Sequence, residues 1–240
     1  DEASARLEAY AVEFGKDDYY KKNQELVKNI KILSLSEGAT MEFMWVEPLG
    51  LWVGKYEVSN KKYKLCDKEH SSGMFKDENM DGDSQPVIQV SYNDAEAYCK
   101  WLTDSHGAAA KGEFRLPTEQ EWETFALCGQ QRDFPWGSEW PPTKGNYGLI
   151  EGYDDGYPVS CPITESGDNE WGIFGVGGNV WEWCQGSLDG TGHFNVFRGG
   201  AWNLNKPDSL RIANRAGDAA DTRSSFVGFR VVLNAPPPAP

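Results

Sequence analysis

The chain has 240 residues, including 10 Trp, 26 Gly and 13 Pro, and its 23 Lys plus Arg against 37 Asp plus Glu give a formal net charge of −14. That balance argues against nucleic acid, whose phosphates call for Lys and Arg, and against anionic lipid headgroups; no apolar run approaches the roughly 20 residues of a membrane span. Three His leave little for a His-based catalytic metal centre, and five Cys (Cys66, Cys99, Cys128, Cys161, Cys184), odd in number and without a CxxC, read as buried free thiols.

In chain order, residues 4–33 are predicted to form one or two short helices. Leu7, Tyr10, Ala11 and Phe14 fit one helical face, and Leu26, Val27, Ile30 and Leu33 another, so residues 1–39 read as a helical or extended appendage. Residues 40–58 alternate around Pro48-Leu49-Gly50 and predict two strands. Ser59 is placed to cap a short helix. In the polar loop 71–86, Asp77, Asn79, Asp81 and Gly82 match the opening of a calcium-binding loop. Ile88 stands where its bidentate Glu belongs, so the segment reads as a plain acidic loop. Residues 93–105 are the clearest helix, capped by Asn93 or Ser91, with Ala97, Trp101 and Leu102 sharing a face with Tyr98 and Asp94.

A short strand at 114–117 precedes a second helix, for which Thr118 and Glu121 spell a capping box. From 129 to 178 nothing is periodic, a length that in compact domains is commonly functional or ion-stabilised. Residues 180–184, 195–198 and 227–233 read as strands, and 234–240, ending APPPAP, as a disordered or extended tail. With no linker inside 40–233, that span reads as one main domain.

GKYEVSNKKY (54–63), QPVIQVSYNDAEAYCKWL (85–102), FRLPTEQEWE (114–123), FPWG (134–137), GGNVWEW (177–183), RGGAW (198–202) and GFRVV (228–232) follow one another in a specific order. Together they resemble the formylglycine-generating-enzyme or sulfatase-modifying-factor family. The resemblance implies an α+β fold, the loop-rich C-type lectin-like variant with short helices and short strands. It also implies an oxidase that converts a client cysteine to formylglycine at a copper site of two cysteines. Aligned on Arg198-Gly199-Gly200, those cysteine positions fall on Leu204 and Ser209. Without thiolates there is no soft ligand pair for Cu(I), so the oxidoreductase reading is disfavoured. His70, His106 and His193 are too scattered to spell the iron site of related sulfoxide synthases.

Residues 198–230 are also similar to the variable proteins of diversity-generating retroelements, of the treponemal type. The likeness rests on the anchors Arg198, Gly199, Gly200, Trp202, Arg211, Asn214, Arg215, Arg223, Gly228, Phe229 and Arg230 alternating with short arbitrary groups. In such proteins Asn codons diversify into a set of residues that excludes Trp, Lys, Gln, Glu and Met. Leu204, Asn205, Asp208, Ser209, Ala216, Gly217, Asp218, Ser224, Ser225 and Phe226 all belong to that set; Lys206 does not. His193 and Asn195 extend the candidate set within a variable region of about 190–233.

The resemblance thus implies a non-enzymatic, surface-displayed binding protein whose site is built from these residues and Trp202. The anchors Arg198, Arg211, Asn214, Arg215, Arg223 and Arg230 would hold the frame beneath it, and the plain alternative is variable surface with no ligand. The expected partner is a protein or a host or bacterial surface ligand, bound by a monomer. Export as a bacterial lipoprotein, with a lipid anchor upstream of Asp1, is a further expectation.

No cofactor is expected to be required, but structural calcium is implied by the family at two places. One set is Gly178, Val180 and Glu182, with Gly175 where the family has an Asn ligand; the other is Asn146, Asp154 and Asp155. The alternative is that Glu182 pairs with an Arg. A sugar-binding lectin is disfavoured by the absence of a Glu-Pro-Asn or Gln-Pro-Asp triplet.

Overall fold

The computed structural model describes residues 29–238. The helical faces expected at Leu7–Phe14 and at Leu26 and Val27 lie outside them. Ile30 and Leu33, expected on a helix, lie instead on strand β1 (Ile30–Ser36), which pairs antiparallel with β2 (Ala39–Val46). Leu33 is buried while Ile32 is exposed, which is strand periodicity; the partner offered by β2 overrides the helical spacing. The sheet therefore begins upstream of residue 40.

A single 3-10 turn at Glu47–Leu49 joins β2 to β3 (Leu51–Gly54) and places Trp45 opposite Trp52, with ring centroids 5.3 Å apart. Short helix α1 (Asn60–Tyr63) starts at Ser59, whose side chain makes no capping bond. A hairpin of β4 (Met74–Phe75) and β5 (Glu78–Asn79) occupies the acidic loop, where Asp81 pairs with Lys64. Helix α2 (Tyr92–Ala110) is capped by Ser91, which closes a reciprocal box with Asp94. Its buried residues include Ala95, Tyr98, Cys99 and Leu102, whereas Ala97 faces solvent, one step off the expected face. Strand β6 (Glu113–Arg115) and helix α3 (Glu119–Leu127) follow, and the Thr118–Glu121 box is present.

The main sheet runs β1-β2-β3-β11-β6, with the last strand, β11 (Val232–Asn234), between β3 and β6. It is buried on both faces because alternate residues go to opposite sides. Phe43, Trp52 and Leu233 pack with Tyr98 and Leu102 of α2. Met44, Val53 and Val232 pack with Trp122 and Phe125 of α3.

A second sheet, β10-β7-β8-β9, comprises Val227–Gly228, Trp181–Ser187, Asn195–Arg198 and Ala216–Asp218, respectively. The expected strand 227–233 is thus two strands in two sheets, parted at Phe229–Val231. The short helix α4 (Pro207–Leu210) lies between β8 and β9. The tail is partly anchored: Trp52 Nε1 donates to the Pro236 carbonyl at 2.9 Å. Between α3 and β7 the described residues form no helix or strand. That stretch is held by turns and by aromatic packing, such as Phe134 stacked on Trp136 at 4.7 Å.

The two boxes give a direct contrast with Ser59. Thr118→Ala and Ser91→Ala are each expected to cost about 1 kcal/mol in urea unfolding, and Ser59→Ala clearly less.

Candidate functional site

Beneath the expected binding region lies a buried ionic network. Arg230, with no solvent exposure, donates through Nε and Nη2 to both oxygens of equally buried Glu182, and through Nη1 and Nη2 to the carbonyls of Gly54 and Phe174. Trp122 Nε1 adds a third bond to Glu182 at 2.9 Å. Burial alone disfavours the Arg230 charge, but Glu182 outweighs it and raises the guanidinium further.

Glu57 is buried beside this pair. Its Oε1 accepts from Asn179 Nδ2 at 2.9 Å and its Oε2 has no partner among the described residues. Burial, together with Glu182, raises its carboxyl to about 7 against the pull of Arg230 and Asn179. The Glu57 carboxylate fills the room above Gly175, where an added Cβ would meet it at 2.4 Å.

Arg198 is equally buried. It binds Glu119 and Glu123 at 2.8 Å and the Ile212 carbonyl at 3.0 Å, and lies 5.6 Å from the Trp122 ring centroid. The other anchors stand at the surface. Arg223 makes a two-pronged bond with Asp94, Arg215 pairs with Glu119, Arg211 with Asp133 and Asp208, and Asn214 Nδ2 donates to the Ser209 carbonyl.

The expected ligand residues divide into three groups. Asn195 pairs with Asp218 across β8 and β9, beside Ala216 and Gly217, and exposed His193 lies in the turn before β8. Leu204 and Asn205 precede α4, and Asp208 and Ser209 lie on it. Asn205 and Asp208 are exposed, whereas Leu204 packs partly against Phe134, Tyr147 and Leu210. Ser224, Ser225 and Phe226 approach Trp202, the Phe226 ring centroid lying 5.4 Å from it.

Trp202, expected among the site residues, is mostly buried. It is 6% exposed, packs with Met80, Ile88, Val159 and Val180, and its Nε1 donates to the Ser225 carbonyl. It contributes to the wall of an open groove of about 420 Å³. Phe75, Tyr153, Tyr157 and Pro158 also line this groove, with Asp154 and Asp155 at its acidic side. The sequence reading missed the groove aromatics; the signal was EGYDDGYP, whose turn residues hid its tyrosines.

The two calcium sets fare differently. In the first, Glu182 already satisfies Arg230 and Trp122, and Glu57 fills the place of the missing ligand. Gly178 is pressed so close to Asn146 that a Cβ would lie 2.1 Å from its carbonyl oxygen, and Val180 is buried. A cation does not fit there; the guanidinium supplies the positive charge. In the second, Asn146 Oδ1 is buried without a hydrogen-bond partner among the described residues, and Asp155 accepts from the Tyr147 and Tyr157 amides at 2.7 and 2.9 Å. A buried amide oxygen left without a donor is the kind of hard ligand a calcium ion takes. Asp154 is exposed and caps its turn through Gly156.

None of the five thiols lies within residues 190–233. Burial is the leading cause that raises every one of them above its ordinary value, the reverse of a poised thiolate.

A short-stranded α+β frame with long irregular loops defines the C-type lectin-like fold of the formylglycine-generating-enzyme type. Treponema denticola variable protein 1 superposes with a TM-score of 0.69 at 18% identity, covering 85% of this chain and 98% of that one. PvdO from Pseudomonas aeruginosa gives 0.63 at 21% identity, covering 85% and 91%. The chain belongs to the family of the sulfatase-modifying factor enzyme 1-like domain, which matches residues 19–235.

Among its relatives, the formylglycine-generating enzyme of Thermomonospora curvata is 32% identical over 179 residues, 62% of this chain and 56% of that protein. Inactive C-alpha-formylglycine-generating enzyme 2 of Mus musculus is 33% identical over 162 residues, covering 62% and 49%. The chain spans about half the length of these relatives.

Glu57 sets a pH signature. Unfolded, it ionises near 4.5; folded, near 7. Between these values the folded state holds the extra proton, so this site's contribution to stability falls as pH rises through the window. Asp94 acts oppositely: burial works to raise it, but Arg223 and Ser91 prevail and hold it at about 2 against 3.8, so its contribution is lost as pH falls through that lower range. Urea unfolding of wild type and Glu57→Gln across pH 4.5–7 is expected to show a declining stability that the variant flattens. Identical slopes would contradict the assignment.

Proposed function

We propose that the chain is a non-enzymatic binding protein that presents a ligand surface on the loops between Trp202 and Phe226. The observation that carries this reading is chemical: Leu204 and Ser209 stand where the resemblance calls for copper-binding thiols. The thiols the chain does have are pushed away from the reactive thiolate. The mouse relative described as inactive, and the fold shared with a variable protein, support the reading.

In this proposal, buried Arg198 and Arg230 hold the frame while exposed residues such as Asn205, Asp208 and His193 meet the partner. The partner is a protein or a cell-surface ligand, met by a monomeric exported lipoprotein whose surface a retroelement diversifies. A near-copy of the DNA for residues 190–233, differing only at adenines and lying beside a reverse transcriptase, is the genomic feature that diversification requires.

The identity to formylglycine-generating enzymes keeps the oxidase as the rival reading. The copper-treated chain, incubated with a cysteine-bearing sulfatase peptide, is expected to yield no aldehyde by mass spectrometry. Catalytic conversion of the thiol to an aldehyde would overturn the proposal.

A calcium ion held by Asn146 and Asp155 would supply an electrostatic cross-link within the loop that walls the groove. Chelation is accordingly expected to lower the Tm of wild type by several degrees, on the order of 1–2 kcal/mol, and to leave Asn146→Ala unchanged. Equal Tm with and without chelator in wild type would remove calcium from the account.

A further inference from the structure

The groove beside Trp202 has a chemistry of its own. Its volume of about 420 Å³ suits a single extended side chain or a small ligand. Its walls are aromatic: Phe75 meets Trp202 edge-on at 4.9 Å, and Tyr153 and Tyr157 face the same space. Among the described residues its charged lining is acidic: exposed Asp154 faces the groove, while Asp155 turns to the Tyr147 and Tyr157 amides. Nearby Glu165 contacts the Tyr157 hydroxyl. Aromatic faces with adjoining carboxylates attract a cation by ring quadrupole and by charge together. The chain shows one instance itself, with Lys76 Nζ lying 5.5 Å from the Phe75 ring centroid.

The rim favours a macromolecular ligand. Leu149 is 92% exposed on the groove's lining and Met74 is 64% exposed on the adjoining hairpin, apolar surface beyond the reach of a lone amine. Asn203 carries the groove toward the loops around α4.

We infer that this groove is the charge-selective part of the ligand surface and takes an Arg or Lys side chain from an extended segment of a protein partner. The inference rests on the ligand-binding reading and names the chemistry of its partner. The groove residues, the anchor Trp202 included, lie outside the proposed diversified set, so the groove offers a fixed basic-residue socket beside the loops proposed to vary.

The test titrates the full chain with a short Arg-bearing peptide, its neutral citrulline counterpart and tetramethylammonium, followed by NMR shifts of the Trp202 indole and the 147–158 amides. The Arg peptide is expected to bind saturably and to weaken as salt rises, with the citrulline peptide at least about tenfold weaker. Asp154→Asn and Tyr157→Leu, both at half-exposed or exposed positions, are each expected to weaken the Arg peptide several-fold while leaving Tm unchanged. Equal binding of the Arg and citrulline peptides, or indifference to both substitutions, would overturn the inference. Competition by tetramethylammonium at the peptide's own affinity would likewise overturn it, in favour of a small amine. A protein ligand that depends on Asn205 and Asp208 but ignores the groove substitutions would defeat this inference alone and leave the ligand-binding reading intact.

Discussion

A single buried guanidinium holds the two sheets in place. Arg230 lies in the break between β10 and β11, and it binds Glu182 of one sheet and the Gly54 carbonyl at the end of a strand of the other. Removing one partner of such a pair leaves an uncompensated buried charge, a cost on the order of 3–5 kcal/mol. The pair also explains why the apolar run 227–233 is not one strand. The chain must leave β10, turn Arg230 inward, and only then enter the main sheet as β11. Arg198 repeats the device one strand away, tying β8 to α3 through Glu119 and Glu123.

These internal charges bear on the family's chemistry. At the position of one family calcium set, this chain supplies the positive charge from Arg230 and closes the gap over Gly175 with Glu57. At the positions to which the resemblance assigns copper ligands it has Leu204 and Ser209. The frame's fixed points are internal, which leaves the loops above it outside its load of buried charge. The −14 charge sharpens in the same way: Asp154 and Asp155 place part of it in an aromatic groove, the chemistry from which a basic partner is inferred.

Much of this was legible in the sequence where the signal is local. The Thr118–Glu121 box, the Pro48-Leu49-Gly50 turn and the aperiodic stretch after α3 each follow from neighbouring residues, and the structure has them. The errors are long-range. Ile30 and Leu33 have helical spacing, yet pairing with β2 made them a strand. Trp202 borders the candidate binding loops in sequence, but Phe75 and Met80, more than a hundred residues away, bury it. Neither Glu57 over Gly175 nor the meeting of Phe75 with Tyr153 and Tyr157 has a local signature. Both depend on how irregular loops fold back over the second sheet.

The central claim is that a rigid internal frame carries loops free to vary for binding. Saturation mutagenesis of residues 190–233 in a display format, read separately for folding, tests it most directly. The account predicts that Asn205, Asp208, His193 and Ser224 accept nearly every residue without loss of folded protein, whereas Arg198 and Arg230 accept almost none. Loop positions as intolerant as the two buried arginines would contradict it.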